Sequence, residues 1–188
     1  DSAGNTLSSQ YETSFTTDDG FTTIGLFVAV GDEGKILTSS DGTTWTLRTS
    51  GTSISLNGVT YGNSTYVTVG SLGIILTSSD GITWTSRTSG TTSDLNDVEY
   101  VNDLFISVGA GGTILTSSDG ISWTSRTSGS GNTLDAVTYG IGTYVAVGNS
   151  GTILTSSNGT SWTSRTSGIS RDLYESVYGN SIFVTVGG

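Results

Sequence analysis

Asp135, Asn57 and Asn96 each stand directly after a Leu that opens a short strand-like run, and Asp19, Asp97 and Glu175 lie at or near the starts of comparable runs. Carboxylates gathered in this way could carry acid–base chemistry. Glycoside hydrolysis asks for two of them roughly 5–9.5 Å apart. Mixed with amides, they could instead hold a small polar ligand or a hydrated cation, since hard cations take oxygen donors. A second acidic set, Asp41, Asp80 and Asp119, precedes a Gly each time, and the fourth copy carries Asn158. Asn can cap a turn as Asp does but carries no charge, so this set is read as turn-capping and not as a reactive cluster.

Other chemistries are excluded by composition. The 188 residues include no His and no Cys, which removes a Ser-His-Asp triad, a thiolate nucleophile, a zinc finger and a disulfide framework. Six basic against 16 acidic residues give a net charge of -10, the wrong balance for tracking phosphates, so no nucleic-acid partner is expected. The longest apolar runs are far shorter than the ~20 residues of a membrane helix, and no membrane contact is expected. No metal site and no cofactor are assigned. The connections between runs are short and leave little wall for a substrate cleft, so the expectation is a protein that is not an enzyme.

The elements that must position these residues follow from a repeat. Trp45, Trp84, Trp123 and Trp162 are each 39 residues apart, and Arg48, Arg87, Arg126 and Arg165 keep the same spacing. Val28, Val67, Ile106, Val145 and Val184 extend the phase to five copies. A period near 40 residues is that of propeller blades. Each unit reads as four strands, A to D, rich in Val, Ile, Thr, Tyr and Trp and separated by Gly, Asn, Asp and Ser. Asx-Gly between C and D predicts a two-residue type I′ hairpin. The Trp residues are expected between neighbouring sheets, and the Arg residues to hydrogen-bond from blade to blade.

The fold prediction is an all-β, five-bladed β-propeller of four-stranded antiparallel blades, one domain over residues 1–188. The fifth unit stops after strands A (173–178) and B (182–187). Gly4–Ser9 aligns without gaps on Gly34–Ser39, and Phe15 then falls where Trp45 stands. This predicts a ring closed by a blade split between the termini, with blade five built from 173–187 plus 4–17. The shortened first strand A is placed at 20–24.

The T-S-S-D-G-x-x-W-T turn, preceded by Val-Gly-x-x-Gly-x-Ile-Leu, resembles the Asp-box repeats of sialidase-type and photosystem II assembly-factor-type propellers. It is still more similar to repeats of bacterial surface proteins and phage tail-associated proteins. The usual Asp box has one residue more between Asp and Trp than Asp41 to Trp45 shows. The motif therefore lends no support to sialidase activity, and likeness of fold does not carry function.

The C strand and its turn barely change between copies, whereas the D-to-A and B-to-C connections differ in every copy. In a four-stranded meander both connections emerge on one edge, so one face of the ring collects the diversity. Loops on a rigid scaffold are where binding resides. The expected ligand site is a polar ring at one mouth of the central channel, formed by Asn57, Asn96, Asp135 and Asp19. The functional expectation is a monomeric, non-enzymatic binding or structural module of a virion or an extracellular surface, with a glycan or other surface ligand as partner. The alternative is a small glycoside hydrolase using the channel carboxylates, as five-bladed glycosidases do.

Overall fold

β-Branched and aromatic residues alternate with small polar ones through every unit, and each run folds as a strand. The computed structural model describes residues 7–11, 15–16, 22–23 and 25–188. The first sheet joins β1 (Leu7–Tyr11), β4 (Phe27–Gly31), β5 (Ile36–Ser39) and β6 (Thr46–Arg48), while β2 (Phe15–Thr16) and β3 (Thr22–Thr23) form a small ladder of their own. Blade two contains β7 (Leu56–Gly62), β8 (Thr65–Gly70), β9 (Ile75–Ser78) and β10 (Thr85–Arg87). Blade three contains β11 (Leu95–Val101), β12 (Leu104–Gly109), β13 (Thr113–Ser117) and β14 (Thr124–Arg126). Blade four contains β15 (Leu134–Gly140), β16 (Thr143–Gly148), β17 (Thr152–Ser156) and β18 (Thr163–Arg165). The last sheet has two strands, β19 (Leu173–Gly179) and β20 (Ile182–Gly187). All pairings are antiparallel, and the chain is an all-β propeller.

The core lies between blades and follows one rule. Two β-branched residues of a B strand pack against the opening Leu of the next A strand and the aromatic of the next B strand. Val28 and Val30 meet Leu56 and Tyr66, and Val67 and Val69 meet Leu95 and Phe105. Ile106 and Val108 meet Leu134 and Tyr144, and Val145 and Val147 meet Leu173 and Phe183. Fully burying one such side chain contributes about 1.5–3 kcal/mol, so blade-to-blade contact holds the ring segment together. The Trp residues are half-buried at the edge of these clusters. Trp84 and Trp123 tilt against Tyr66 and Phe105, and Trp162 packs against the third cluster.

Three expectations change. The split blade is not what the described residues form. Leu7–Tyr11 pairs with β4 as strand A of blade one, and Phe15–Thr16 pairs with Thr22–Thr23. Residues 4–6, 12–14, 17–21 and 24 lie outside the described residues. The physical reason is the bulged start shared by all A strands. Leu7 faces Gly31 with a register shift after it, as Leu56 faces Gly70 and Leu95 faces Gly109. Leu7 and Leu56 are 49 residues apart, ten more than the repeat, and β2 and β3 fall between β1 and β4.

The C-to-D turn is also wider than a two-residue hairpin. Only its Gly is left-handed, at φ 70 to 72°, and the preceding Asx is not. The two-residue geometry with positive φ at both positions occurs instead between A and B, at Asn63-Ser64, Asn102-Asp103, Ile141-Gly142 and Asn180-Ser181. Finally, the Arg side chains bond within their own sheet. Nε of Arg48, Arg87, Arg126 and Arg165 donates to Oγ1 of Thr38, Thr77, Thr116 and Thr155, each at 2.8 Å.

Candidate functional site

Two sets of carboxylates occupy opposite faces. On the turn face, Ser78 Oγ accepts the Gly81 N–H at 2.8 Å, and Asp80 Oδ1 accepts the N–H groups of Ile82 and Thr83 at 2.8 Å each. Asp41 and Asp119 do the same, and Asn158 Oδ1 substitutes in blade four at 2.9 and 3.0 Å. Backbone donors stabilise the ionised form, so the carboxyls of Asp41, Asp80 and Asp119 are held below the ordinary carboxylate range. The capping reading of these residues is what the geometry gives.

The opposite face carries the B-to-C and D-to-A connections, and hydrogen bonds tie them together. Ser71 N–H donates to the Ser55 carbonyl at 3.0 Å, and Ala110 N–H to the Asp94 carbonyl at 2.8 Å. Two aspartates that the sequence reading passed over link blades here. Asp94 Oδ1 accepts the Leu72 N–H and Asp172 Oδ1 the Ser150 N–H, both at 2.8 Å. The Gly that closes each B-to-C turn is required. At Gly34, Gly73, Gly112 and Gly151, φ is 68 to 72°, and a Cβ would run into a carbonyl of the D-to-A loop. Between the two loops lie shallow grooves, about 600 Å³ on blade two beside Arg87 and Thr91 and about 540 Å³ on blade four beside Arg165 and Asn132.

Asn57, Asn96 and Asp135 share one register position on successive A strands, directly after the opening Leu. Asn57 Nδ2 donates to the Leu95 carbonyl at 2.9 Å, and Asn96 Nδ2 to the Leu134 carbonyl at 2.9 Å. Each is thus a clasp onto the next blade. Asn96 Nδ2 also lies 3.4 Å from Asp135 Oδ1. An ionised Asp135 has no proton to donate onward to blade five, and its Oδ2 is buried without a hydrogen-bond partner. Burial, and then the charge of Asp172, push the Asp135 carboxyl up. Blade one has Ser8 at this position, and blade five has Tyr174, which is 57% exposed. Asp19, the remaining predicted member, lies outside the described residues.

A second tier sits deeper on the innermost strands, at Gly58, Asp97, Ala136 and Glu175, each directly after the register shift. The strands approach closely there. A Cβ on Gly58 would lie 3.2 Å from Asp97 Cα. Asp97 Oδ1 accepts the Val98 N–H at 2.8 Å, and its Oδ2 accepts the Val137 N–H of blade four at 2.9 Å. Glu175 Oε1 accepts the Ser176 N–H at 2.8 Å. Glu99 lies two residues further along β11, and its Oε2 is buried without a partner.

Desolvation dominates this tier. It pushes Asp97 up to about 6 against the two backbone donors, with Glu175 adding to the rise. Glu99 is pushed up to about 8 by desolvation and then by the charges of Asp97 and Glu175. The Lys35–Glu33 salt bridge is peripheral and offers this tier no cation. No group of three acidic side chains among the described residues is arranged to hold a metal ion. Glu99 escaped the sequence reading, although one signal marks it. It interrupts the Val-Thr-Tyr of Val59–Tyr61 and Val137–Tyr139 with Val98-Glu99-Tyr100.

No protein-family model matches the chain, and no curated protein matches it. Solved structures do match. The WD40 β-propeller domain of Doa1 superposes with a TM-score of 0.68 at 15% identity, over 98% of this chain and 67% of that one. YCF48 bound to D1 peptide gives 0.65 at 20% identity, over 84% and 55%. The GH74 enzyme of Niastella koreensis gives 0.51 at 29% identity, over 73% of this chain and 22% of the enzyme. The chain thus spans a little over half of the YCF48 chain and about a fifth of the GH74 enzyme. These likenesses carry the propeller fold.

Proposed function

We propose that the chain is a non-enzymatic binding module of a virion or cell surface. It takes an extended, neutral glycan across its loop face and anchors it at the axial mouth between Tyr174 and Asp135. One observation carries this reading. At the position where Asn57 and Asn96 clasp the next blade, blade five carries the exposed Tyr174, and blade four carries Asp135, whose Oδ2 lies buried without a hydrogen-bond partner. An aromatic face with adjacent acceptors suits a sugar ring, apolar on one side and hydroxylated at its rim. The Ser and Thr hydroxyls of the peripheral grooves extend the same chemistry outward. A net charge of -10 disfavours an anionic ligand.

A second reading has its own support. Glu99, pushed up to about 8, holds its proton at neutral pH as a glycosidase general acid must, and Asp97, pushed up to about 6, holds one in mildly acidic solution. Against it, both oxygens of Asp97 accept backbone N–H groups, which suits a blade-to-blade link. The GH74 likeness favours this second reading, whereas the peptide on YCF48 adds a peptide arm to the test.

The experiment is a glycan and peptide array run beside a glycoside hydrolysis screen, with wild type, Tyr174→Ala and Asp97→Asn. Saturable glycan binding without turnover, weakened about ten-fold or more by Tyr174→Ala, supports the module. Hydrolysis abolished by Asp97→Asn replaces it with the enzyme. Binding unchanged by Tyr174→Ala moves the site elsewhere.

A further inference from the structure

β11 turns one face to each neighbouring blade. From Asp97 to Val101 its pairing with β12 is unbroken, so successive side chains alternate between the two faces. Val98 and Tyr100 pack toward blade two, in the cluster of Val67 and Val69. Asp97, Glu99 and Val101 therefore face blade four. Their cross-strand partners on β12, Val108, Ile106 and Leu104, pack with Leu134, Val137 and Tyr144 in the core between blades three and four.

Two hydrogen bonds cross this seam along β11. Asp97 Oδ2 accepts the Val137 N–H at 2.9 Å, and the Tyr144 hydroxyl donates to the Val101 carbonyl at 3.2 Å. Glu99 stands between them, opposite the fully buried Ile106, and its Oε2 is buried without a hydrogen-bond partner. Sibling blades carry Thr60 and Thr138 at this position, 1% and 8% exposed. It is a core position, where a small hydroxyl is tolerated and a charge is costly.

No cation offsets that charge. The titratable groups around Glu99 are Asp97 on its own strand, Tyr144 of blade four with Tyr139 beside it, and Glu175 of blade five. β15 adds Asp135 at its opening, within 3.4 Å of Asn96 Nδ2. β7, β8, β12 and β13 carry no charged side chain, and every Lys and Arg of the chain lies on a D strand or in a connection.

We propose that blades three and four meet in a proton-closed seam, a local hinge whose opening exposes Glu99 and releases its proton, so that ambient pH sets how often it opens. Closed, the carboxyl is pushed up to about 8 by burial and by its acidic neighbours, and open it returns toward its ordinary 4.5. Closure is therefore fully favoured below about 4.5 and weakens as pH rises to about 8. Asp97, pushed up to about 6, adds to the same trend at lower pH. The seam between blades two and three has Gly58 and Thr60 at these positions and should not respond. This inference does not depend on a glycan at the axial mouth.

The test is amide exchange on the full chain between pH 6 and 8, corrected for the intrinsic pH dependence of exchange. In wild type, the Val137 amide and its neighbours on β15 should lose protection by roughly fifty-fold over this range, while β8 and β9 of blade two keep theirs. Glu99→Gln and Glu99→Thr should hold the loss to within about three-fold. Glu99→Thr, which restores the residue type of Thr60 and Thr138, decides the matter if Glu99→Gln fails to fold. An equal loss in blade two would report unfolding of the whole chain and overturns the proposal. So does a flat wild-type profile, or a loss that survives in the variants.

Discussion

The turn face and the axial face both hold carboxylates, and the same functional group behaves in opposite ways. Asp41, Asp80 and Asp119 point oxygens at two backbone N–H groups in an exposed turn, and their carboxyls are acidified. Asp97 and Glu99 sit among packed inner strands, and desolvation makes them weak acids. The first set is near-identical from copy to copy, whereas the second exists only where the repeat is broken. Gly58 and Ala136 hold the place of Asp97, and Thr60 and Thr138 hold that of Glu99. A charge kept in three of four copies, with a neutral isostere in the fourth, does structural work. Carboxylates found at these positions only in blades three and five, and buried in blade three at a cost to stability, mark where the repeat departs from pure scaffold.

The sharpest way to break this contrast is Glu99→Gln. Between its free value near 4.5 and its folded value of about 8, the folded protein binds more protons than the unfolded chain. Stability therefore falls as pH rises through that window. Asp97 adds a similar fall ending near pH 6. Glu99→Gln should flatten the upper part of the curve. At pH 9 it should stabilise by roughly 2 kcal/mol or more, read as a rise of ~4–8 °C in melting temperature. At pH 4 the variant and wild type should melt together. Equal melting at pH 9 would show that Glu99 is solvated.

A smaller gain is expected from Asp135→Asn. Asn57 and Asn96 each donate to the opening Leu carbonyl of the next blade, and the corresponding acceptor for residue 135 is the Leu173 carbonyl. An amide at position 135 could make that bond, worth about 0.5–1.5 kcal/mol net. Because burial pushes the carboxyl up, the advantage should be largest above neutral pH and shrink as the wild-type side chain protonates. Thermal melts at pH 5 and pH 8 give the comparison. A variant less stable than wild type at pH 8 would mean that Asp135 is not a failed clasp. The same substitution should weaken any ligand held at the axial mouth, so stability and binding should move in opposite directions.

The repeat made the fold legible because identical spacing forces identical strand order, and the loop-rich face followed from connectivity alone. Asn57, Asn96 and Asp135 share one register position, and two of them bond to the next blade. Their role as blade clasps was hidden, because an amide beside a neighbouring carbonyl leaves no trace in one strand's pattern. Leu7 was misread for a related reason. Leu7-Ser8-Ser9 aligns on Leu37-Thr38-Ser39 of a C strand, and only the bulge opposite Gly31 marks Leu7 as the opening Leu of an A strand. Asn63-Ser64 and Asn102-Asp103 lack the Gly that advertises a tight hairpin, yet Asn tolerates the left-handed region well enough to form it. Asx-Gly advertised a hairpin and formed a capped, wider turn, because Ser78 and Asp80 compete for the backbone donors.

The smallest expected effect belongs to Asp80→Asn, and it bears directly on the scaffold half of the contrast. Asn158 occupies the same place in blade four and accepts the same two N–H groups at 2.9 and 3.0 Å, against 2.8 Å at Asp80. The amide therefore keeps the turn and gives up only the charge assistance. That assistance has a defined pH window. The Asp80 carboxyl is held at about 2, chiefly by the Thr83 and Ile82 N–H groups, below its free value of 3.8. Its contribution is present above the free value and disappears as pH falls through the folded one. Solvent screens an exposed group, so the difference at pH 7 should be small, a fall of less than about 2 °C in melting temperature. The gap should close as pH approaches 2. A large loss at pH 7 would mean that the charge itself is needed on the turn face, and the division of the carboxylates into scaffold and site would fail there.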